Sequence, residues 1–163
     1  MIDYLSMPEE RMKLLRKDRR WEPKLKKLSD VKVSLSEDVE IEGEDPLEVM
    51  RVKLVFQAFG RGFEFEDALN LLDDEFALET INVGDYAKSQ DRVIELKGRV
   101  IGTKGKSKDI IEKKTETKIS IYGKTICMIG RRQDAARARD AIELLLSGRK
   151  HGTAYRFLEW NFK

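Results

Sequence analysis

The sequence is poor in the side chains that enzymes use for nucleophilic and metal chemistry, with one cysteine and one histidine among 163 residues. Cys127 cannot form an intramolecular disulfide, and its apolar neighbours Ile126 and Met128 predict a buried structural thiol. His151 alone cannot build a histidine-based triad or a zinc cluster. Carboxylates are abundant, but nothing groups them as a metal site or an acid–base pair. We therefore expect no catalytic site, no metal and no cofactor.

Long apolar runs are missing too. No segment reaches the length of about 18 apolar residues that suggests a membrane-spanning helix, and there is no signal-peptide pattern. The sequence therefore predicts a soluble, cytoplasmic protein without a membrane partner.

Charge of one sign is missing from long stretches, although the net charge is only +2. Residues 37–48 contain seven acidic residues and no basic one, and residues 64–85 contain eight and none. By contrast, residues 11–27 contain nine basic and two acidic residues, and residues 92–118 contain nine and four. Such segregation fits a surface that binds a polyanion. For either basic run taken alone, a solvated face is the better interpretation.

The sequence repeats itself at a spacing of 86 to 88 residues. The matched positions are residues 32–35 (KVSL) with 118–121 (KISI), Gly43 with Gly130, and Gly60-Arg61 with Gly148-Arg149. A repeat of this length is too long for a solenoid unit and indicates a duplicated small domain.

Periodicity predicts the order strand, helix, helix, strand, strand, helix in each copy. In the first copy we expect a strand at 2–5, a helix capped by Ser6, a helix from Pro23, a hairpin turning at 36–38, and a helix from Pro46 to Gly60. That last helix is expected to present Leu47, Met50, Leu54, Val55 and Ala58 as its apolar residues. In the second copy we expect a strand at 78–83, helices at 86–101 and 106–115, a hairpin at 119–129 turning at Gly123-Lys124, and a helix at 133–146.

The two copies differ in the loop between their first two helices. The second copy has Gly102-Thr103-Lys104-Gly105. The residues 86 positions earlier in the first copy, 16–19 (RKDR), contain no glycine. Gly-x-x-Gly alone is a weak signal. Here it joins two helices of a βααββα unit and is flanked by basic residues, and this context is typical of the K-homology (KH) domain. Residues 99–107 (RVIGTKGKS) resemble a KH signature, and residues 110–119 continue the pattern.

The resemblance implies an α+β fold of two tandem type I KH (βααββα) units joined by an acidic helical segment. Residues 1–62 would form a degenerate unit without the GxxG loop, 63–77 a linking helix, and 78–163 a unit with an intact loop and a C-terminal tail.

A KH unit of this kind binds single-stranded RNA and clamps about four nucleotides. Gly102 and Gly105 lack Cβ atoms, so that a sugar-phosphate backbone can approach the loop. The helix that begins near Lys106 directs its positive end at the phosphates, and mobile cations add affinity. Bases would lie on an apolar groove walled by Val100, Ile101, Ile110 and Ile119. Polar groups of the hairpin, Ser120 among them, would read the edges of the bases. The expected RNA-binding residues are Arg99, Val100, Ile101, Gly102, Thr103, Lys104, Gly105, Lys106, Ser107, Lys108, Ile110, Ile119 and Ser120. The alternative is a tight turn that needs glycine for packing alone.

The sequence allows two interpretations for each of two further segments. The acidic hairpin of the first copy, Glu37 to Asp45, suits a basic protein partner or is merely solvated. The aromatic and basic C-terminal segment could stack on RNA, or its Tyr155, Phe157, Leu158 and Trp160 could pin a terminal helix to the domain.

Nearly the whole chain is similar to the archaeal KH-domain assembly factors of the small ribosomal subunit. Their eukaryotic relatives are partners of the endonuclease that trims the 3′ end of small-subunit rRNA. The matching residues are 60–63 (GRGF), 69–74 (LNLLDD) and 97–99 (KGR). The resemblance implies binding to the 3′ region of 16S rRNA, maturation of the 30S subunit, and contacts with that nuclease and with translation initiation factor 2. The first copy departs from the family pattern by lacking a glycine loop, which leaves the second as the main RNA binder. The alternative function is a protein-interaction adaptor with only incidental RNA contact.

Overall fold

The computed structural model describes residues 1–160, and of Trp160 only the backbone. Contacts divide the chain into two compact units, Met1–Phe76 and Ala77–Lys163. Residues 63–76 group with the first unit, and their expected role as a link stays a prediction.

The first unit is an α+β unit with a three-stranded antiparallel sheet in the order β1-β3-β2. Its elements are β1 (Ile2–Leu5), α1 (Glu9–Lys17), α2 (Trp21–Leu28), β2 (Lys32–Leu35), β3 (Val39–Glu42), α3 (Pro46–Gly60), α4 (Phe65–Ala68) and a 3-10 turn, Leu69–Leu72. Side chains alternate between the two faces of β3, so that Val39 and Ile41 are fully buried in the core while Glu42 is exposed. The hairpin and the start of α3 follow the sequence prediction, and the Asp45 side chain accepts a hydrogen bond from the Leu47 amide at 3.0 Å.

The buried face of α3 differs in part from the prediction. Val55 and Ala58 are fully buried as expected, but Leu47 and Met50 are 51% and 58% exposed. The core also receives Val49, Val52 and Phe56, which were not in the predicted set and are fully buried. Because α3 carries apolar residues nearly all round, periodicity alone could not select the face that packs on the sheet.

Two helix starts in the first unit were also predicted wrongly. The first helix begins at Glu9, after Pro8, so Ser6 does not cap it. The second begins at Trp21, with Pro23 in its first turn. Proline is tolerated throughout the first turn, where the amides have no helical partner, and it therefore marks a helix start only to within a few residues.

The second unit has the same order of elements, and its sheet has the equivalent order β4-β6-β5. Its elements are β4 (Phe76–Asn82), a 3-10 turn (Val83–Asp85), α5 (Gln90–Ile101), a 3-10 turn (Thr103–Gly105), α6 (Lys106–Thr115), β5 (Lys118–Tyr122), β6 (Thr125–Arg131), α7 (Arg132–Leu146) and α8 (His151–Trp160). α5 begins four residues later than predicted, because the Ser89 hydroxyl accepts a hydrogen bond from the Arg92 amide and caps the helix there. Strand β5 lies at an edge of the sheet and is paired only with β6.

The C-terminal segment forms a helix, α8, that packs on the core of the second unit. Ala154 and Leu158 of α8 are buried, and Tyr155 and Phe157 pack against the same core cluster. The Trp160 side chain lies outside the described residues. Cys127 is fully buried, as the sequence predicted. Within residues 1–160, no helix is both long and apolar enough to cross a membrane.

The end of the third helix corrects the alignment of the two copies. Gly62 (φ 100°) and Gly148 (φ 96°) both adopt the left-handed conformation just beyond α3 and α7. Their amides donate to the carbonyls of Phe59 and Leu145 at 3.1 and 3.2 Å. Gly62, and not Gly60, is therefore the counterpart of Gly148.

Candidate nucleic-acid interface

The glycine loop of the second unit is a short left-handed turn between α5 and α6. Gly102 ends α5 at φ 76°, and Lys104 and Gly105 follow at φ 55° and 73°. The Gly105 amide donates to the Gly102 carbonyl at 3.1 Å, which closes the turn. Both glycines therefore occupy a region of backbone conformation that other residues seldom adopt.

The two glycines differ in what surrounds them. A Cβ atom on Gly102 would lie 2.6 Å from the Cβ of Ser107 and 2.7 Å from its amide nitrogen. Apart from Gly105 itself and its two chain neighbours, no atom of the described chain lies within 4 Å of the corresponding position at Gly105. Gly102 is therefore required for the start of α6 to pack against the end of α5, while Gly105 leaves the main chain open to a ligand. Packing against Ser107 explains the glycine at 102, and at 105 the left-handed backbone conformation is the structural reason for glycine.

Positive charge lies around this open position. Lys104 and Lys106 are exposed, and neither forms an ion pair with any residue in the described range 1–160. The helix α6 begins at Lys106, and no side chain of the described structure caps its first amides. The amides at a helix N-terminus carry partial positive charge, so they and the two lysines form a site suited to phosphate.

Two cations that the sequence placed in the same set are already engaged. Arg99 donates from Nε to the Leu145 carbonyl at 3.1 Å and from Nη2 to the Arg149 carbonyl. Lys108 lies 3.7 Å from the Glu112 carboxylate. The Arg99 side chain is thus anchored at the end of α7 and is not a mobile charge, although its predicted contact with RNA stays a prediction.

The apolar groove has a different wall from the one predicted. Val100 and Ile119 are 0% and 4% exposed and belong to the core of the unit. Ile101 is 36% exposed and Ile110 half-buried, so these two reach the surface. Ile94, 60% exposed, lies two turns before Ile101 on the same face of α5. The sequence analysis missed Ile94, although the spacing of seven residues between it and Ile101 was a signal for a second apolar face.

The edge strand β5 is positioned by α6. The Glu112 carboxylate accepts a hydrogen bond from the Ile119 amide at 2.8 Å and so fastens the start of the strand to the helix. Ser120 lies next along this strand and is half-buried. The loop, the outer face of α5 and the edge of β5 therefore belong to one packed unit.

The equivalent loop of the first unit is shorter and its charges are paired. Arg16 and Lys17 belong to the last turn of α1, so the loop consists of residues 18–20 and not 16–19. Arg16 pairs with Glu9 at 3.0 Å, and Arg19 pairs with Glu22. Arg20 pairs with Asp18 and, as the main cause, lowers the pKa of that carboxyl to about 2. This loop therefore contains no glycine, and its cations are already paired with acidic residues.

The comparison with known proteins decides the family. A model described as a eukaryotic-type KH domain (KH-domain type I), that of the second domain of PNO1, matches residues 77–162. A KH domain-containing protein of Methanocaldococcus jannaschii is 39% identical over 165 residues, which cover 97% of this chain and 73% of that protein. The chain belongs to the archaeal PNO1/Dim2-like KH family.

Other members of this PNO1/Dim2-like family carry more specific names. The pre-rRNA-processing protein PNO1 of Chaetomium thermophilum is 31% identical over 101 residues, which are 60% of this chain but only 39% of that protein. A solved complex of a/eIF2alpha, aDim2p and rRNA from Pyrococcus horikoshii contains a chain with 33% identity and a TM-score of 0.87, and the match covers 99% of this chain and 93% of that one. The eukaryotic proteins that match are therefore much longer than the part shared with this chain.

Proposed function

We propose that this chain is an RNA-binding factor of ribosome biogenesis and that its second unit binds single-stranded RNA at the 3′ region of 16S rRNA. The observation that carries the proposal is the open Gly105, flanked by exposed and unpaired Lys104 and Lys106 at the uncapped start of α6. It lies in the unit that matches the KH family model. The names of the relatives, which include pre-rRNA processing and an rRNA complex, support the same function.

In the proposed mechanism the loop holds phosphate and the groove holds bases. The amides of the first turn of α6 and the two loop lysines bind the phosphates without regard to sequence. Bases lie over Ile94, Ile101 and Ile110, and Ser120 on the edge strand reads their polar edges. The remaining predicted residues are part of the same proposal: Arg99, Gly102, Thr103, Ser107 and Lys108 lie at or beside the loop, and the buried Val100 and Ile119 support the groove from the core. Binding and positioning of RNA, and no chemical step, is the activity we propose.

For the first unit we propose a degenerate KH unit that acts as a scaffold. It shares the order of elements and strands with the second unit, but its loop has no glycine and its arginines are paired with acids. We keep residues 1–62 as this unit, 63–77 as a linking segment and 78–163 as the RNA-binding unit.

The proposed partners follow from the relatives. A complex of a Pyrococcus horikoshii relative with a/eIF2alpha supports translation initiation factor 2 as a partner. We also propose the endonuclease that trims the rRNA 3′ end, and action in the cytoplasm, where small subunits mature.

The test is a fluorescence-anisotropy titration of a labelled single-stranded oligonucleotide of the 16S rRNA 3′ end, over a salt series. The native chain is compared with a Thr103→Asp, Lys104→Asp double variant. The matched control is Arg19→Asp, Arg20→Asp, which reverses charge in the loop of the first unit. We expect loss of binding only in the first variant. Equal binding by all three proteins, or loss in the control alone, contradicts the assignment to the second unit.

One observation favours the adaptor as a second candidate function. Ile2 and Tyr4, 49% and 57% exposed, lie opposite Glu42 and Glu40 on the outer face of the first unit's sheet. An apolar and acidic face of this kind suits a basic protein. If the Thr103→Asp, Lys104→Asp variant still supports assembly of 30S subunits in cells while a Tyr4→Lys variant does not, the adaptor is the better description.

A further inference from the structure

The second unit contains a cavity that lies beside the proposed groove and shares Ile110 with it. The cavity has a volume of about 670 Å³ and is bounded by α5, the glycine loop, the first two turns of α6 and the first turns of α8. On α5 it is lined by Glu95, about 100° around the helix from Ile94, and by Gly98, about 40° from Ile94 and 60° from Ile101. Tyr155 and His151 of α8 form its far wall.

A glycine in the middle of α5 keeps this cavity open. Apart from its chain neighbours and the nearby backbone of α5 itself, no atom of the described chain lies within 4 Å of the position where a Cβ of Gly98 would stand. Glycine in a helix interior weakens the helix relative to alanine, and no packing contact requires it at this position. The missing side chain instead enlarges the cavity.

A buried hydroxyl on the cavity wall has no partner. Ser107, at the second position of α6, is 3% exposed, and its Oγ makes no hydrogen bond within residues 1–160. A buried polar group without a partner is destabilising and rare in native proteins. Because Ser107 lines the cavity, a ligand bound there is the candidate for the missing partner.

The lining indicates what kind of group would bind. The rings of His151 and Tyr155 lie 6.2 Å apart, and the His151 Nε2 is held 2.8 Å from the Arg99 carbonyl oxygen. Aromatic side chains of this kind stack on nucleobases. The carboxylate of Glu95 disfavours a phosphate and favours a group that donates hydrogen bonds, such as the exocyclic amine of a base. Thr103 and Lys106 line the cavity and also belong to the loop of the proposed phosphate site. An RNA strand bound at the loop therefore passes the edge of the cavity.

We propose that this cavity takes the base of one further nucleotide of the bound RNA, stacked on Tyr155 and bearing an exocyclic amine. The proposal rests on the RNA-binding function proposed above and extends the site by one nucleotide through α8, the helix that follows the βααββα elements of the second unit.

The corresponding cavity of the first unit shows why only the second would bind RNA. It lies between α1, α2 and the segment that follows α3, and its volume is about 680 Å³. Its wall includes the indole of Trp21, at the start of the second helix, and the carboxylates of Asp18, Glu64, Glu66 and Asp67. Three cations, Arg11, Arg20 and Lys24, also line the first cavity, so acidic residues outnumber basic ones there by one. In the second cavity Glu95 stands against two cations, Arg99 and Lys106, and this balance of charge suits a polyanion better.

The experiment uses the full chain and labelled oligonucleotides in anisotropy titrations. The reference is the tightest-binding four-nucleotide segment of the 16S rRNA 3′ end. It is extended at either end by one adenosine or, as the matched control, by one abasic nucleotide. We expect adenosine at one end to tighten binding about tenfold and the abasic nucleotide to add little, since stacking requires the base.

Two variants then test whether Tyr155 provides the gain in affinity. Tyr155→Leu should abolish the gain from adenosine and leave binding of the four-nucleotide segment unchanged, and Tyr155→Phe should retain the gain. Equal tightening by adenosine and the abasic nucleotide, no gain at either end, or a gain that persists in Tyr155→Leu overturns the proposal. The comparison of adenosine with the abasic nucleotide uses the native chain, so it decides the matter even if Tyr155→Leu does not fold. Failure of the native chain to bind any oligonucleotide contradicts the RNA-binding function itself and is thus distinguishable.

Discussion

Arg11 and Arg99 make the same pair of hydrogen bonds, one in each unit. Arg11 donates from Nε to the Phe59 carbonyl and from Nη2 to the Phe63 carbonyl, at 2.8 and 2.9 Å. Arg99 donates from Nε to Leu145 and from Nη2 to Arg149. In both units the acceptors are the next-to-last residue of the third helix and the residue four positions later.

The shared arrangement gives these arginines a structural role. The last carbonyls of a helix have no partner within it, and a cation at this end also interacts favourably with the helix dipole. Each arginine therefore joins its first helix to the end of the third helix. The role is independent of RNA, because the first unit has it without a glycine loop.

We expect Arg99→Lys to lower the free energy of unfolding by about 1 to 3 kcal/mol, since a lysine cannot bond both carbonyls as the planar guanidinium does. Urea denaturation followed by circular dichroism measures this change. Arg11→Lys is the matched variant and should act in the same direction. If Arg99 were instead a phosphate contact, Arg99→Lys would leave stability unchanged.

Lys104→Gln and Lys106→Gln should each weaken RNA binding and reduce the slope of log affinity against log salt by about 1, because each exposed lysine neutralises one phosphate. Neither should alter the unfolding midpoint in urea, since neither side chain forms an ion pair within residues 1–160. The titrations are those described above, at four or more salt concentrations. Lys17→Gln, in the last turn of α1, is the control. A slope that stays constant in both loop variants contradicts a phosphate site at this loop.

Alanine substitutions at two glycines of the second unit should change the stability of the protein in opposite directions. Gly98→Ala should stabilise the protein by about 1 kcal/mol, because the Cβ meets open space and alanine is the better helix former. Gly102→Ala should destabilise it by about 2 kcal/mol or more, because the Cβ would meet the Ser107 Cβ at 2.6 Å and the left-handed backbone disfavours it. Thermal unfolding monitored by circular dichroism compares the two. A destabilised Gly98→Ala would show that the cavity beside α5 is already filled.

Asp18 should make stability depend on pH in the acid range. Hydrogen bonds from the Arg20 side chain and amide lower its pKa from the ordinary 3.8 to about 2 in the folded protein. A depressed folded pKa gives stability that is complete above pH 3.8 and is lost as the pH falls toward 2. Because the Asp18 side chain is 49% exposed and solvent screens its charge, the effect is small. Urea titrations between pH 5 and pH 2 should show a flatter profile for Asp18→Asn than for the native chain, and identical profiles would contradict the prediction.

Local chemistry determined much of the architecture. Alternating apolar residues gave the hairpins at β2–β3 and β5–β6, and α6 spans the predicted residues 106–115. The glycine loop was recognisable because it requires glycine in the sequence and stands among basic residues. These features depend on neighbours a few positions away, which is why a single sequence reveals them.

Only the tertiary structure decided the features that depend on distant residues. The buried face of α3 was set by the sheet it packs on, and the partners of Arg99 lie 46 and 50 positions away in the chain. The different surroundings of Gly102 and Gly105, and the cavity that α8 forms with α5 and α6, likewise arise from packing. Hydrogen bonds and packing contacts between distant segments leave no periodic trace in the sequence, since each partner alone has an ordinary pattern. The sequence thus determined where the loop is and what charge surrounds it, and the tertiary structure decided which of its residues remain available to a ligand.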